Sequence, residues 1–421
     1  MYSLKNFKKI NIINLITCLI IPFLIWGPFF PDLIISTSSL IFLYYLLKNK
    51  NFYFFNKVPI IGFFLFWIAS IISSLLSDDI FLSLKSSFFY FRIGVFACFV
   101  WYLIDKDKSI IHYFYYALVI CFTVLVIDGY FQYFSGENLI GLKIDSSLRI
   151  SSFFKDELIL GSYLSRLFPL LFALFLVKQK QKFEIYFIGF LFILVDVLIY
   201  LSGERSSFFF LNLSTIFIII LIKEYQKFRL ITFIIAIICI TIFSYNIGST
   251  MTNRMFTNPA KDMGFIKSSK DPVIFTKEHD SLIRTAYRMF KDHPILGHGP
   301  KMFRVKCADQ KYAVSKDSCS THPHNFYLQL LAETGITGFL FLFVSLIYVL
   351  YAAIRQFKTI IFGQKRFLKD YQVCLLAAIL ITVWPLSPNG NFFHNWLMII
   401  YSLPVGFYLQ SIYSKNNLKN L

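Results

Sequence analysis

Charge is scarce in this sequence. Only 15% of its 421 residues are Asp, Glu, Lys or Arg, against about 25% in an ordinary soluble domain. Hydrophobic residues make up 57% and aromatic residues 19%. A soluble core does not need repeated apolar blocks of about 17–25 residues, so the chain reads as an integral membrane protein. Acidic residues are scarcer than basic ones, 23 against 41, which leaves a formal net charge of +18. In a soluble protein that excess would suggest nucleic acid. Here the Lys and Arg gather in short connectors between apolar blocks, the pattern of membrane topology, and no nucleic-acid partner is expected. The first apolar block has no small-residue cleavage site behind it and runs straight into a second, so it is read as a retained span. No internal repeat is visible, which weakens a transporter built from inverted repeats.

The apolar blocks predict an all-α, polytopic membrane fold of about twelve transmembrane helices. They lie at roughly 10–27, 31–47, 58–76, 86–104, 109–131, 158–177, 184–202, 206–222, 229–246, 334–354, 371–387 and 393–412. Alternate connectors read "KNKNFYFFNK", "DKDKS", "KQKQK", "KEYQKFR" and "RQFKTIIFGQKRFLKD". With the "KNFKK" start and the "SKNNLKN" tail they hold 21 of the 41 basic residues. The opposite turns "WGPFFPD" and "SPNG" hold none, and "SGERSS" holds one. Basic connectors stay in the cytoplasm, so both termini are expected there.

Two connectors on the outer side are longer, Gly136 to Leu160 and a stretch of about 75–80 residues from Gly248. The second is too long to be structureless in a compact protein. Residues 1–246 are therefore expected to form helices 1–9 of the bundle. Residues 247–324 should form a helical loop domain between helices 9 and 10. Residues 325–421 should form an interfacial helix and helices 10–12. Within the loop, "DSLIRTAYRMFKDH" predicts a helix from Asp280 to His293, capped by Asp280 or Ser281, with Ile283, Tyr287 and Phe290 at helical spacing. Of seven cysteines, five fall in or near spans as small apolar fillers. Cys307 and Cys319 fall in the long loop, where an oxidising compartment would permit a disulfide and free thiols are the alternative.

Charges inside spans are costly and tend to pair or to line a wet cavity. Arg92, Asp128, Arg166 and Asp196 are such charges. At 1.5 Å per residue each lies within about 15 Å of the outer surface. Arg166 and Asp196, on consecutive antiparallel spans, are placed to pair directly. Structural ion pairs and a polar pocket open to the outside both fit. Above that level come Arg149, Arg205 and, on the loop helix, Arg284 and Arg288.

Polar chemistry concentrates in "STHPHNFYLQLLAETGITG", Ser320 to Gly338. If Asn325 to Glu333 is helical, Asn325, Gln329 and Glu333 form one polar stripe. Gly335 and Gly338 would then allow close helix approach or a bend before the span. His322 and His324 stand just ahead of it, stiffened by Pro323. Without a nearby Cys or second carboxylate cluster these two histidines make a poor metal site, so no metal ligand and no cofactor are expected. Histidine beside arginines at a membrane surface suits acid–base work near phosphate. Arg grips phosphate in bidentate fashion, and His accepts a hydroxyl proton.

"HNFYLQLLAETGITG" has the form His-Asn, nine residues, Gly, two residues, Gly. It resembles the signature of the O-antigen ligase and polymerase family of bacterial envelope enzymes. "GERSSFF" resembles the family's arginine followed by a bulky apolar residue. "RTAYRMFKDHPILGHGPKMF" resembles the segment that precedes its catalytic histidine, with Tyr287 where Trp is frequent and His298 where a small apolar residue is commoner. The resemblance implies a metal-independent, inverting glycosyltransferase of the inner membrane with a periplasmic active site. It would join a glycan carried on undecaprenyl pyrophosphate to a hydroxyl of lipid A-core. Carried over by position, His324 is the base, and Arg205 and Arg284 hold the pyrophosphate. Arg149 is a further phosphate contact, and Asn325, His322, Arg288, Glu333 and Arg166 belong to the substrate pocket. A polymerase acting on another carrier-linked repeat is the alternative within the family. A lipid-linked sugar flippase or a structural assembly subunit are alternatives outside it.

Overall fold

The computed structural model describes residues 12–144, 149–178, 181–246, 249–265 and 275–414. The basic segments 1–11 and 415–421, part of the "KQKQK" connector and Gly248, where the long loop was expected to begin, lie outside the described residues. Every regular element among those described is helical, apart from an isolated bridge between Glu137 and Lys143. Nine helices among them are long and apolar enough to cross a membrane. They are α2 (Phe29–Lys48), α3 (Val58–Leu75), α4 (Ile80–Lys106), α5 (Ser109–Ser135), α6 (Leu160–Val177), α7 (Lys182–Leu201), α9 (Gln226–Asn246), α11 (Phe326–Ile361) and α13 (Asn395–Tyr413). Three shorter apolar helices, α1 (Ile12–Trp26), α8 (Arg205–Leu221) and α12 (Asp370–Thr382), stand at the remaining expected positions. The protein is a polytopic helical membrane protein. Lipid offers the backbone no hydrogen-bond partner, so each apolar block must close its bonds internally as helix.

α6 and α13 are the most enclosed spans, and α9 and α11 the most exposed. Gly406 of α13 lets that helix approach α4, since a Cβ there would lie 2.9 Å from the Ala97 carbonyl oxygen. The long connector packs at one end of the bundle through α10 (Lys277–Asp292). Its buried face is Leu282, Thr285, Ala286 and Met289, not the expected Ile283, Tyr287 and Phe290. Apolar residues occupy two neighbouring stripes of this helix. The small Ala286 lets the first of them close on Phe303, Cys307 and Ala332, while Tyr287 is left 47% exposed.

Two of the charges within the spans form ion pairs and two are held by neutral groups, and Arg166 and Asp196 do not pair with each other. Asp196 binds Arg229 at 2.8 Å with both side chains buried, and Thr215 accepts a further bond from that guanidinium at 2.7 Å. Arg229, the last residue of the "KEYQKFR" connector and the first of the expected span 229–246, lies in the first turn of α9 and reaches inward beneath Phe168. Arg166 therefore does not pair with Asp196, and its Nη2 donates to Asn389 Oδ1 at 3.1 Å. Arg92 pairs with Asp32 on α2 at 2.6 Å. Asp128 accepts from the Ser152 hydroxyl and the Leu139 amide.

One helix bends at a point that organises the loop-bearing end. Gly335, at φ +62°, breaks α11 into a short first segment and a long span. A break leaves backbone groups without their intrahelical partners. The turn Pro294–Gly299 supplies replacements from both sides. The His298 and Gly299 amides donate to the Ala332 and Glu333 carbonyls at 3.0 and 2.8 Å, and the Ile336 amide donates to Pro294 at 2.9 Å.

Candidate active site

The segment Ser320–Asn325 reaches the first turn of α11 along a fixed path. A disulfide joins Cys307 to Cys319, the residue just before it, and Cys307 is buried in the small core under α10. Asn325 is the N-cap of α11. Its side-chain oxygen accepts from the Tyr327 and Leu328 amides at 3.0 and 3.1 Å, and its Nδ2 donates to the Pro385 carbonyl. The polar stripe beyond it is buried in protein. Gln329 donates to Glu333 and to Asn391 and accepts from the Phe392 amide, and Glu333 accepts from the Phe303 amide. These bonds fasten the first segment of α11 to the α12–α13 connector and to the strap around the kink.

His324 sits at φ +53°, a left-handed conformation tolerated by His better than by bulky or β-branched residues. Its carbonyl accepts from the Asn389 amide at 2.8 Å, which holds it there. The Asn389 carbonyl accepts in turn from His322 Nε2 at 3.3 Å, so the Thr321 hydroxyl donates to His322 Nδ1 at 2.9 Å. The two rings lie 4.0 Å apart, and His279 of α10 stands edge-on to His324 at 5.5 Å. Burial, and then the neighbouring His279, hold His324 below the ordinary 6.5. Burial and His324 push His322 down to about 3. Burial also lowers His279, with the charge of Arg205 adding to it and that of Glu278 opposing it. All three imidazoles are therefore neutral at pH 7.

Arginines gather at the α7–α8 turn. Arg205 opens α8, and its charge reaches His279. Arg149 donates to the Leu158 and Ser202 carbonyls, and Arg254 donates to the Gly203 carbonyl at 3.1 Å. A Cβ on Gly203, at φ +69°, would press on the Arg254 and Arg149 side chains at 3.0 and 3.2 Å. Glu204 accepts from the Gly161 and Ser162 amides at the start of α6. Its burial pushes the carboxyl up to about 7, against the hydrogen bond from Ser207 and the charge of Arg149.

The structure thus gathers His322, His324 and Asn325, with Arg166 joined to the pair through Asn389 and Arg205 linked through His279. Glu333 lies on the same helix, as framework. Arg284 and Arg288 are placed elsewhere. Arg284 is 66% exposed and pairs with Asp280 at 2.7 Å; it lies five residues past His279, roughly 140° round the helix. Arg288 donates to the Ala313 carbonyl.

Sequence reasoning missed His279, Asn389, Arg254 and a second basic group. Lys301 and Arg304 follow the strap, and burial, then Arg304 and Lys85, hold the Lys301 ammonium below its usual value. Lys85, Arg92, Asp32, Asn395 and Lys301 line a cleft of about 550 Å³ between α2, α4 and α13. The signal for Asn389 was present in "SPNG", a turn too short and polar to span anything.

Residues 187–343 match the family model described as O-Antigen ligase. The match runs from α7 to just beyond the kink of α11 and contains Arg205, Arg284, His322, His324, Asn325 and Glu333; Arg149 and Arg166 lie before it. No curated protein matches the sequence. Over this segment the chain is similar to the O-antigen ligase family, the one that the His-Asn and Gly-Glu-Arg motifs resemble.

Proposed function

We propose, from that similarity, that the protein is a metal-independent glycosyltransferase. It would move a glycan from undecaprenyl pyrophosphate to a lipid A-core hydroxyl at the periplasmic face of the inner membrane. In this reading the loop-bearing end is periplasmic, the termini are cytoplasmic, and residues 247–324 form the domain over the site. The observation that carries it is a neutral His324, held in place by Asn389 and flanked through His279 by the Arg205 turn. A neutral imidazole beside guanidinium groups is the pairing that deprotonation next to a phosphate leaving group requires.

His324 takes the proton of the acceptor hydroxyl as that oxygen bonds to the anomeric carbon. The bond from this carbon to the pyrophosphate oxygen breaks, and the leaving pyrophosphate keeps the electron pair. Attack opposite the leaving group inverts the centre. Arg205 and Arg149 stabilise the developing charge on phosphate, an interaction strengthened where water is scarce. Arg284 joins them by leaving Asp280, which costs little, since an exposed i,i+4 pair is worth about 0.3–0.5 kcal/mol. Asn325, His322, Arg166 and Glu333 hold the histidine segment, and Arg288 fixes the loop beside it. The buried Asp196–Arg229 pair supports an enzyme over a flippase, because those charges serve each other and not a through-path.

The test is deletion in the native host, followed by gel analysis of lipopolysaccharide. Core without polymer, with carrier-linked polymer accumulating, supports the ligase. Core bearing a single repeat identifies the polymerase instead, and core without polymer with the carrier-linked glycan retained on the cytoplasmic side would indicate a flippase.

A further inference from the structure

The turn that straps the kink carries a second cluster of titratable groups, apart from His322 and His324. Asp292 ends α10, His293 caps it, and His298 follows in the strap. One ligand atom from each lies within 4.8 Å of the others. The two imidazole centroids are 4.2 Å apart, and His293 Nε2 is 3.6 Å from Asp292 Oδ2.

Three features make this more than a chance meeting of polar side chains. His298 is 4% exposed, and its Nε2 bonds the Met289 carbonyl at 3.1 Å. That bond puts the proton on Nε2 and leaves the Nδ1 lone pair available; metal-binding histidines are commonly oriented in this way. Asp292 is held by Tyr312 and Lys311, each at 2.5 Å, bonds that anchor its carboxylate. Tyr312 lies inside the loop closed by Cys307–Cys319, so the carboxylate is fixed from a braced segment.

We infer that Asp292, His293 and His298 form a binding site for a borderline divalent cation, Zn²⁺ above all. Two imidazoles and one carboxylate are a ligand set that suits this class, and solvent completes the shell. The cation joins the end of α10 to the strap that satisfies the broken helix of α11, so its role is structural. This site departs from the expectation of no metal ligand, which rests on His322 and His324 alone. The competing cation is Lys311, 63% exposed and able to swing into solvent.

The experiment uses the full chain, purified in detergent and stripped with chelator, then titrated with Zn²⁺ and followed by metal analysis and thermal unfolding. The wild type should retain one equivalent and unfold at a higher temperature when loaded. His293→Ala and Asp292→Asn should each weaken uptake by at least about tenfold and abolish the thermal shift. Lys311→Ala should tighten uptake, because it removes the rival charge. His293 is exposed, so its variant folds whatever the role of the site. Uptake unchanged in His293→Ala, weaker uptake in Lys311→Ala, or no stoichiometric uptake by the wild type would overturn the site.

Discussion

Gly297 and Gly335 cross so closely that neither has room for a methyl group. A Cβ on Gly335 would lie 2.3 Å from the Ile295 carbonyl oxygen, and one on Gly297 2.4 Å from the Glu333 carbonyl carbon. Both are at positive φ, +62° and +67°. Gly335→Ala therefore meets backbone that cannot step aside, besides the cost of about 1–3 kcal/mol for a non-Gly residue in that conformation. The variant should show a lowered unfolding midpoint and poor recovery from the membrane. Gly363→Ala, also at positive φ but in open space, should cost only the conformational part.

His324→Ala should reduce glycan transfer by about 100-fold or more, the usual contribution of a general base, with expression and unfolding unchanged. The pH profile carries the sign. A histidine lowered from 6.5 stays unprotonated through neutrality and loses base function only as pH falls through the depressed value. The acidic limb of kcat/KM should lie below pH 6.5. A limb above 6.5 would remove the neutral-base assignment.

Arg205→Lys should raise the KM for the lipid-linked donor and leave the acceptor KM near its original value. Lysine keeps the charge but loses the two-pronged fork that matches a phosphate. Arg284→Lys tests whether the exposed arginine swings in. A normal donor KM there would leave Arg284 as a surface charge paired to Asp280.

Removing either member of the Asp196–Arg229 pair strands the other in an enclosed setting, at a cost of about 3–5 kcal/mol. Replacing both, as in Asp196→Leu with Arg229→Met, should be milder than either single change. Thermal unfolding in detergent reads the difference.

Transfer measured at low temperature should survive EDTA. Stripping a structural cation would lower the unfolding midpoint without touching the chemistry. Activity lost to chelator and restored by added metal at that temperature would contradict metal-free transfer.

Helix positions were legible because lipid permits an apolar block almost no other conformation. The bend was legible too, since "GITG" offers a residue that tolerates left-handed backbone. Which helices neighbour one another is not written in periodicity, and that is where the reading failed. Arg229 looked like a connector charge because it opens an apolar block, and only the packing of α7 against α9 reveals Asp196 as its partner. On α10 two apolar stripes stood side by side, and the choice between them belonged to the surface formed by Phe303, Cys307 and Ala332. The site was partly readable for the same reason. His324 and Arg205 carry motifs, whereas Asn389 and His279 act through position and carry none.

The link between α7 and α9 also bears on how the chain enters its membrane. α7 emerges with an aspartate well inside an apolar stretch, and inserting such a residue alone costs up to about 3 kcal/mol. The guanidinium that neutralises it arrives only after α8 has been made. These three helices are thus best laid into lipid as one parcel, and shortening the chain between Leu201 and Gln226 should trap a half-inserted protein.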